Sequence, residues 1–366
     1  MVRKVLAMSA IILIFIVAPI IILKNASGSS IFRPETTWEE HETPEDAGWS
    51  SQKLSEAETY FNSLNSTAGI AIYNGKVLFS WGDVASNTSI HSVRKSLLSG
   101  MYGPFIENGT IDLDKTLEDL SIVDFPPLTD VEKQATVNHL FTSRSGVYLR
   151  AGEESWNMRR QRPDRGTHPA GSFFYYNNWD FNVLGTIFNN ETEVDLFENF
   201  EKTMAKPLEM EDFSLDYTGY REETSRSIHP SYLFRMSARD LARFGQLYLQ
   251  EGKWEGDQLI PKDWIKESTT VKAPVSSNPI YDYGYMWWVA TEGPLSELGL
   301  YSAVGRYGQS IDIIPEMNLV FVHRVDSDRL PFRFFRRGVS QSKRLTLLEM
   351  IVDAKGREAD DIRDNL

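Results

Sequence analysis

The sequence predicts an α+β domain with an antiparallel sheet of about five strands, flanking helices and an inserted, mostly helical subdomain. Three observations predict this fold. A β-hairpin pattern occupies residues 69–81, helices and loops fill about 103–230, and strand-like runs followed by a helix close the chain. Because hairpin-connected strands form antiparallel sheets, we expect the first strand pair to join the last strands in one sheet.

The composition excludes several classes of function. With 366 residues, 41% of them hydrophobic, the chain is large enough to bury a substantial core. A net charge of −13 argues against a nucleic-acid partner, which needs a basic surface. The absence of cysteine excludes thiol catalysis and disulfides, and the six histidines form no zinc motif. No metal or organic cofactor is therefore expected.

The N-terminus predicts export. Val5–Leu23 carries no charge and would span roughly 28 Å as a helix, close to the thickness of a bilayer core. Arg3 and Lys4 precede it, which favours a cytoplasmic N-terminus and an extracytoplasmic, or periplasmic, domain. Cleavage near Ala26 is the alternative to a retained anchor. The predicted segments are a cytoplasmic end (1–4), a transmembrane anchor (5–23), a linker (24–46), the folded domain (47–354) and a polar tail (355–366).

The elements of the domain follow from local patterns. Two β-rich runs, Gly69–Tyr73 and Lys76–Trp81, flank Asn74-Gly75, which is typical of a type I′ hairpin turn. A capped amphipathic helix is predicted from Ser237 to Gly252, and the last helix is predicted over about 342–354. Three strand-like runs lie between these helices. They are "YGYMWWVA", the run from "YSAVG" to "QSIDIIP", and "NLVFVHRV".

A serine and a lysine lie three residues apart at Ser92 and Lys95, where apolar residues begin to recur at helical spacing. Side chains at these positions share one helical face, so the amine can reach the hydroxyl. Two readings are open, a nucleophile with its base or a helix cap followed by a solvated lysine. The same S-x-x-K spacing occurs at Ser50–Lys53 and Ser340–Lys343, so the pattern alone does not decide.

Six stretches follow one another along residues 47–354. They are "SIHSVRKSLLSGMYGPFIENGTIDLDKTLEDL", "ATVNHLFTSRSGV", "PAGSFFYYNNWDFNVLGTIF", "MSARDLARFGQLYLQEGKW", "YGYMWWV" and "VGRYGQSIDIIPEMNLVFV". In this order they resemble the serine β-lactamase and DD-peptidase superfamily, specifically its class C-like branch, which also contains esterases, D-aminopeptidases and 6-aminohexanoate-oligomer hydrolases. The resemblance implies the β-lactamase/transpeptidase-like fold.

The resemblance implies a role for each matching residue. Ser92 would be acylated by the substrate, with Lys95 beside it, and Tyr176 would exchange a proton with the serine and the leaving group. Asn178 would position Lys95 or the substrate. Either Lys95 or Tyr176 could be the base. We expect burial to lower the pKa of Lys95, and a nearby ammonium to lower the pKa of Tyr176.

The third family motif, K-T-G, is not present as such. In the preferred alignment Ala303-Val304-Gly305 takes its place, so that Gly305 lets a substrate approach the strand. The Arg306 N–H would then form the oxyanion hole with the Ser92 N–H. A shifted alignment would use Arg306-Tyr307-Gly308 and the Gln309 N–H instead. The Arg306 side chain is also a candidate cation, since Ala303 replaces the family's lysine.

The predicted function is therefore an exported, membrane-anchored serine hydrolase that cleaves an ester or amide through a Ser92 acyl-enzyme. The missing lysine favours a small or linear substrate over a β-lactam. A cell-wall D-Ala carboxypeptidase or β-lactamase is one alternative. A non-catalytic penicillin-binding-like protein is the other. The expected partners are a small-molecule substrate and, through the N-terminal helix, the membrane.

Overall fold

The computed structural model describes residues 38–328 and 338–355. Within this range, Asn74 and Gly75 have φ values of 50° and 79° and join two antiparallel strands, Ala68–Tyr73 and Lys76–Gly82. Two successive positive φ values are the signature of a type I′ turn, whose twist matches that of the flanking strands. The predicted hairpin is confirmed.

Seven strands of the described residues form the main sheet, in the order β2-β1-β12-β11-β10-β9-β8, and every neighbouring pair is antiparallel. A three-stranded sheet (β3-β5-β4) and a two-stranded one (β6-β7) lie beside it. The strands are β1 (Ala68–Tyr73), β2 (Lys76–Gly82), β3 (Thr88–Ser89), β4 (Thr218–Arg221), β5 (Ser231–Met236), β6 (Lys253–Trp254), β7 (Asp257–Gln258), β8 (Tyr281–Tyr283), β9 (Trp288–Ala290), β10 (Tyr301–Gly305), β11 (Gln309–Ile314) and β12 (Leu319–Arg324).

The α+β class and the antiparallel sheet are confirmed, but the sheet is wider than predicted. The run beginning at Tyr283 does not continue as one strand. Gly284 donates its N–H to the Trp287 carbonyl across 2.8 Å, and Met286 has a φ of 63°, so the chain turns back on itself. This turn makes β8 and β9 a separate hairpin at the edge of the sheet.

The α-helices among the described residues are α1 (Ser51–Ser63), α2 (Val93–Glu107), α3 (Val137–Phe141), α4 (Trp156–Gln161), α5 (Asn178–Thr192), α6 (Leu196–Phe200), α7 (Ala238–Leu249), α8 (Lys262–Ser268), α9 (Pro294–Glu297) and α10 (Gln341–Asp353). They cover both faces of the main sheet. Helices α1 and α10 pack together in one apolar layer, whereas α2 and α7 contribute to the other.

Helix α7 lies very close to the sheet because Gly245 has no side chain. A Cβ at this position would come within 2.6 Å of Val320 and 2.8 Å of Ile311. Helix α2 is buried on all sides from Val93 to Gly103, so it is a central helix and not the one-sided amphipathic helix that its apolar spacing suggested.

The region predicted as a mostly helical insert contains long loops besides helices α3 to α6. The predicted linker also differs from the structure. Trp38 packs against the core and Glu40 forms a β-bridge with Val77, so residues 38–46 lie on the domain. The predicted membrane anchor, residues 5–23, lies outside the described residues. No helix within those residues has the length and apolar character that a membrane crossing requires.

Candidate active site

Ser92 lies immediately before helix α2, and its hydroxyl faces Lys95. The Lys95 Nζ lies 2.9 Å from the Ser92 Oγ. The Ser92 side chain makes no capping hydrogen bond to the helix backbone, although it occupies the N-cap position. Its oxygen is therefore held by the amine and not by the helix end.

The other two S-x-x-K matches have the opposite arrangement. Ser50 precedes α1 and Ser340 precedes α10, and each accepts a hydrogen bond from the backbone N–H three residues later, at 3.3 and 3.4 Å. Both are ordinary helix caps. The contact between the serine and the lysine side chains thus distinguishes Ser92 from the two look-alike sites.

Helix α5 places the second half of the cluster. Asn177 caps this helix by accepting a hydrogen bond from the Trp179 N–H at 3.2 Å, which leaves Tyr176 just before the helix and Asn178 in its first turn. The Lys95 Nζ lies 2.9 Å from both the Tyr176 hydroxyl and the Asn178 Oδ1. The four predicted residues Ser92, Lys95, Tyr176 and Asn178 therefore meet at one amine.

Lys95 is only 1% exposed, and the groups that hydrogen-bond to its amine, two hydroxyls and an amide oxygen, carry no negative charge. Its Nζ lies 4.4 Å from the centre of the Tyr176 ring and 4.5 Å from that of Phe181. Burial lowers the pKa of Lys95 well below its ordinary value, and the charges of Arg94 and Arg306 lower it further. Burial and the nearby positive charges thus favour the neutral form of the Lys95 amine.

A neutral amine can satisfy this geometry. The Asn178 Oδ1 can only accept a hydrogen bond, and the amide orientation is fixed because its Nδ2 donates to the Gly152 carbonyl at 3.2 Å. The amine can donate one N–H to Asn178 and one to Tyr176. Its lone pair then accepts the Ser92 proton, which is the arrangement a general base requires.

The expected lowering of the Tyr176 pKa is wrong. Burial raises the pKa of Tyr176 to about 12, despite opposing contributions from the Ser92 hydrogen bond and the Arg94 charge. The expectation assumed a charged lysine, whereas burial disfavours the charged form of both groups. Tyr176 is therefore a protonated phenol at neutral pH.

The end of β10 lies against the nucleophile. A Cβ on Gly305 would come within 3.2 Å of the Ser92 nitrogen and 2.6 Å of the Ile90 carbonyl, so only glycine fits there. Gly308, the glycine of the alternative alignment, lies instead against Val339. The geometry thus favours the alignment in which the Arg306 N–H and the Ser92 N–H form the oxyanion hole.

A cleft of about 670 Å³ opens above these groups. Beyond the predicted residues, it is bordered by a wall from the inserted region that the sequence did not predict. No local pattern marks this wall, because distant packing brings it to the cleft. The lining residues are Ser92, Tyr176, Asn178, Trp288 and Val304–Tyr307 on one side, and 153–159 on the other.

Comparison with known proteins identifies the family. The family model described as Beta-lactamase matches residues 65–336. The chain belongs to the β-lactamase family. Two sequence relatives of this family member are an uncharacterized protein of Alkalihalophilus pseudofirmus and a 6-aminohexanoate-dimer hydrolase of Paenarthrobacter ureafaciens. The first is 23% identical, and the matched region covers 69% of this chain and 77% of that relative. The second is 24% identical, and the matched region covers 63% of this chain and 64% of that relative.

Solved structures with the same fold agree with this family assignment. A class C β-lactamase has a TM-score of 0.64 at 15% identity and covers 87% of this chain and 100% of its own. A Bacillus anthracis protein, provisionally named a 6-aminohexanoate-dimer hydrolase, also has a TM-score of 0.64, at 22% identity, with 81% of both chains covered. The family and the fold make this chain a serine hydrolase.

Proposed function

We propose that this chain is an exported hydrolase that cleaves a small or linear ester or amide through a Ser92 acyl-enzyme. One observation carries the proposal. The Lys95 amine is buried and lies 2.9 Å from the Ser92 Oγ, the Tyr176 hydroxyl and the Asn178 Oδ1. A hydroxyl, a neutral base and a phenolic acid at one point are what acyl transfer requires.

Acylation begins with attack of the Ser92 Oγ on the substrate carbonyl, while its proton passes to the Lys95 Nζ. The negative charge on the carbonyl oxygen is stabilised by the Ser92 and Arg306 N–H groups. The bond to the leaving group then breaks as Tyr176 gives that group its proton, and Tyr176 recovers a proton from Lys95 across their 2.9 Å contact. The product is an ester on Ser92, and the departing alcohol or amine is neutral.

Deacylation reverses these roles with water as the nucleophile. Water attacks the Ser92 ester and loses a proton to the neutral Lys95. The Ser92 oxygen leaves and recovers a proton from Lys95, through Tyr176 or directly. The free acid departs, and the amine and the phenol return to their starting forms. No group outside the cluster has to change its protonation state.

The replacement of the family's lysine supports the choice of substrate. Ala303 is completely buried, so the position where the family's lysine would meet the carboxylate of a β-lactam carries no charge, and any such contact would need Arg306, which follows the strand. The relative from Paenarthrobacter ureafaciens is named as a hydrolase of the 6-aminohexanoate dimer, a linear amide. We therefore expect esters and linear amides to be better substrates than cephalosporins.

Mass spectrometry of the intact protein after exposure to a panel of slow acylating substrates tests the mechanism. We expect a mass increase equal to the acyl group, located on Ser92 by peptide mapping and absent from Ser92→Ala. A parallel assay should compare 4-nitrophenyl esters with a chromogenic cephalosporin. Efficient cephalosporin turnover without ester hydrolysis would support the β-lactamase alternative. Failure of a fluorophosphonate probe to label Ser92 would support a non-catalytic protein.

Export is a separate part of the proposal, supported by the uncharged Val5–Leu23 run after Arg3 and Lys4. A fusion of alkaline phosphatase after residue 46 tests it, since that enzyme is active only after translocation. We expect an active fusion, and inactivity when residues 5–23 are deleted. If the fusion that retains residues 5–23 is inactive, the domain remains in the cytoplasm.

A further inference from the structure

The Arg306 guanidinium lies at the mouth of the cleft without a carboxylate partner among the described residues. It follows β10 directly and borders the cleft that contains Ser92. Its Nη2 donates a hydrogen bond to the Glu153 carbonyl across 3.4 Å. Its charge acts on the catalytic cluster, because it lowers the pKa of Lys95 and opposes the rise that burial causes in the pKa of Tyr176.

Each acidic side chain of the opposite wall forms a salt bridge with another arginine. The Glu153 side chain accepts from Arg221 at 2.5 Å, and the Glu154 side chain forms a salt bridge with Arg162. Glu153 therefore offers Arg306 only its carbonyl oxygen. The side chain that could neutralise Arg306 is engaged elsewhere, although it lies on the same wall.

The contact between Arg306 and Glu153 is also easy to replace. At 3.4 Å it is near the outer limit for a hydrogen bond, and it joins a charged donor to a neutral acceptor. A carboxylate can instead accept two parallel N–H bonds from a guanidinium, which are shorter and stronger. Glu153 would stay in place after the exchange, because its own N–H donates to the Glu223 carboxylate at 2.7 Å.

We propose that the Arg306 guanidinium binds an anionic group of the substrate, so that the preferred substrates are linear esters or amides that carry a carboxylate. This inference rests on the proposed function. Apolar contacts for the chain between the carboxylate and the reacting carbonyl are available on both walls. Trp288 stacks against Tyr176 on one side, and Trp156, a residue that is 62% exposed, lines the other.

Two matched substrate pairs test the inference. The first pair places the charge on the acyl side, as mono-(4-nitrophenyl) adipate and its methyl ester. The second places it on the leaving group, as 4-acetoxybenzoate and its methyl ester. We expect wild-type protein to prefer the charged member of at least one pair by about tenfold or more in kcat/KM. Rates measured with Ser92→Ala correct for uncatalysed hydrolysis.

Three variants locate the source of this preference. Arg306→Gln should remove it, mainly through a higher KM for the charged ester, and Arg306→Lys should retain part of it. Arg159→Gln removes the same charge from the same cleft and should keep the preference. An equal loss in Arg159→Gln would show a general effect of cleft charge and would overturn the assignment to Arg306.

The failure of this inference is distinguishable from failure of the proposed function. Wild-type protein that acylates Ser92 and hydrolyses both members of each pair equally would overturn the anion site and leave the hydrolase mechanism intact. No acylation of Ser92 by any of the four esters would overturn the proposed function itself.

Discussion

Two fully buried basic side chains, Lys95 and Arg344, lie on opposite faces of the main sheet in different surroundings. Arg344, in α10, forms a salt bridge with Asp312 of β11 and donates to the Tyr281 hydroxyl at 3.3 Å. Burial opposes its charge, but Asp312 outweighs burial and raises the pKa of Arg344. Lys95 has hydroxyl and amide oxygens as partners, and its pKa is lowered.

The difference indicates what each group does. Asp312 also accepts hydrogen bonds from Ser302 and Ser310, at 2.7 and 2.8 Å, so the charge of Arg344 is fully compensated and the network joins α10 to the sheet. Such a network has a structural role. A buried amine without a carboxylate is instead suited to lose and regain a proton. Stability and catalysis are therefore assigned to different faces of one sheet.

The largest expected effect comes from making the Lys95 charge permanent. Because a guanidinium cannot lose its proton, Lys95→Arg should lower kcat/KM for a neutral nitrophenyl ester by about a thousandfold or more. Lys95→Met, which removes the base without adding charge, should give a similar loss in a protein that folds. Lys343→Arg, in a look-alike S-x-x-K site, is the control and should be fully active. Retention of a tenth of the activity in Lys95→Arg would show that position 95 need not accept a proton.

The converse change removes the anion from the structural network. Asp312→Asn leaves the Arg344 charge buried and unpaired, which should destabilise the fold by about 3–5 kcal/mol. Urea unfolding measures this loss. Asp130→Asn, at an exposed ion pair, is the control and should leave the unfolding midpoint unchanged. A shift in the pH dependence of catalysis by Asp312→Asn would contradict the separation of the two networks.

Tyr176→Phe removes the proposed acid and should act selectively. A nitrophenolate leaves without a proton, whereas an amine needs one. We therefore expect a loss of about a hundredfold for an anilide or linear amide, and a smaller loss for a nitrophenyl ester. Tyr175→Phe, which changes the neighbouring tyrosine, should affect both substrates equally. An equal loss of activity towards both substrates in Tyr176→Phe would exclude Tyr176 as the acid.

The smallest effect concerns the charges around Lys95. The side chains whose charges act on it are Arg94 and Arg306, which lower its pKa, and Glu153, which raises it. Arg94 is buried over the Tyr232 ring at 4.3 Å. Arg94→Gln should raise the Lys95 pKa, so the acidic limb of kcat/KM against pH moves to higher pH. Arg94→Lys should restore it, whereas an unchanged limb in Arg94→Gln would mean that Arg94 acts only in packing.

Local chemistry explains which features the sequence predicts well. The Asn74-Gly75 turn was predictable because few residue pairs accept two positive φ values. The meeting of Ser92, Lys95 and Tyr176 was predictable only through the family resemblance. Three S-x-x-K sites look alike along the chain, and only tertiary contacts show whether a serine hydroxyl faces a backbone N–H or an amine.

Features that depend on long-range packing escaped prediction. The wall at 153–159 reaches the cleft through the fold of the inserted region, which has no short sequence signature. The Tyr176 pKa was predicted with the wrong sign because the extent of burial around the cluster is a property of the whole fold. The turn at Gly284, which widened the sheet, was hidden in a run of strand-forming aromatic residues.

The pH dependence of kcat/KM for a neutral nitrophenyl ester tests the central claim, that Lys95 is a neutral base, most directly. Measured from about pH 5 to about pH 10 and corrected with Ser92→Ala, the rate should reach its plateau well below the ordinary lysine pKa of 10.5. It should fall as acid protonates Lys95, and show no alkaline loss below the Tyr176 pKa of about 12. A rate that is negligible at neutral pH and rises only towards 10.5, the ordinary lysine value, would contradict the account.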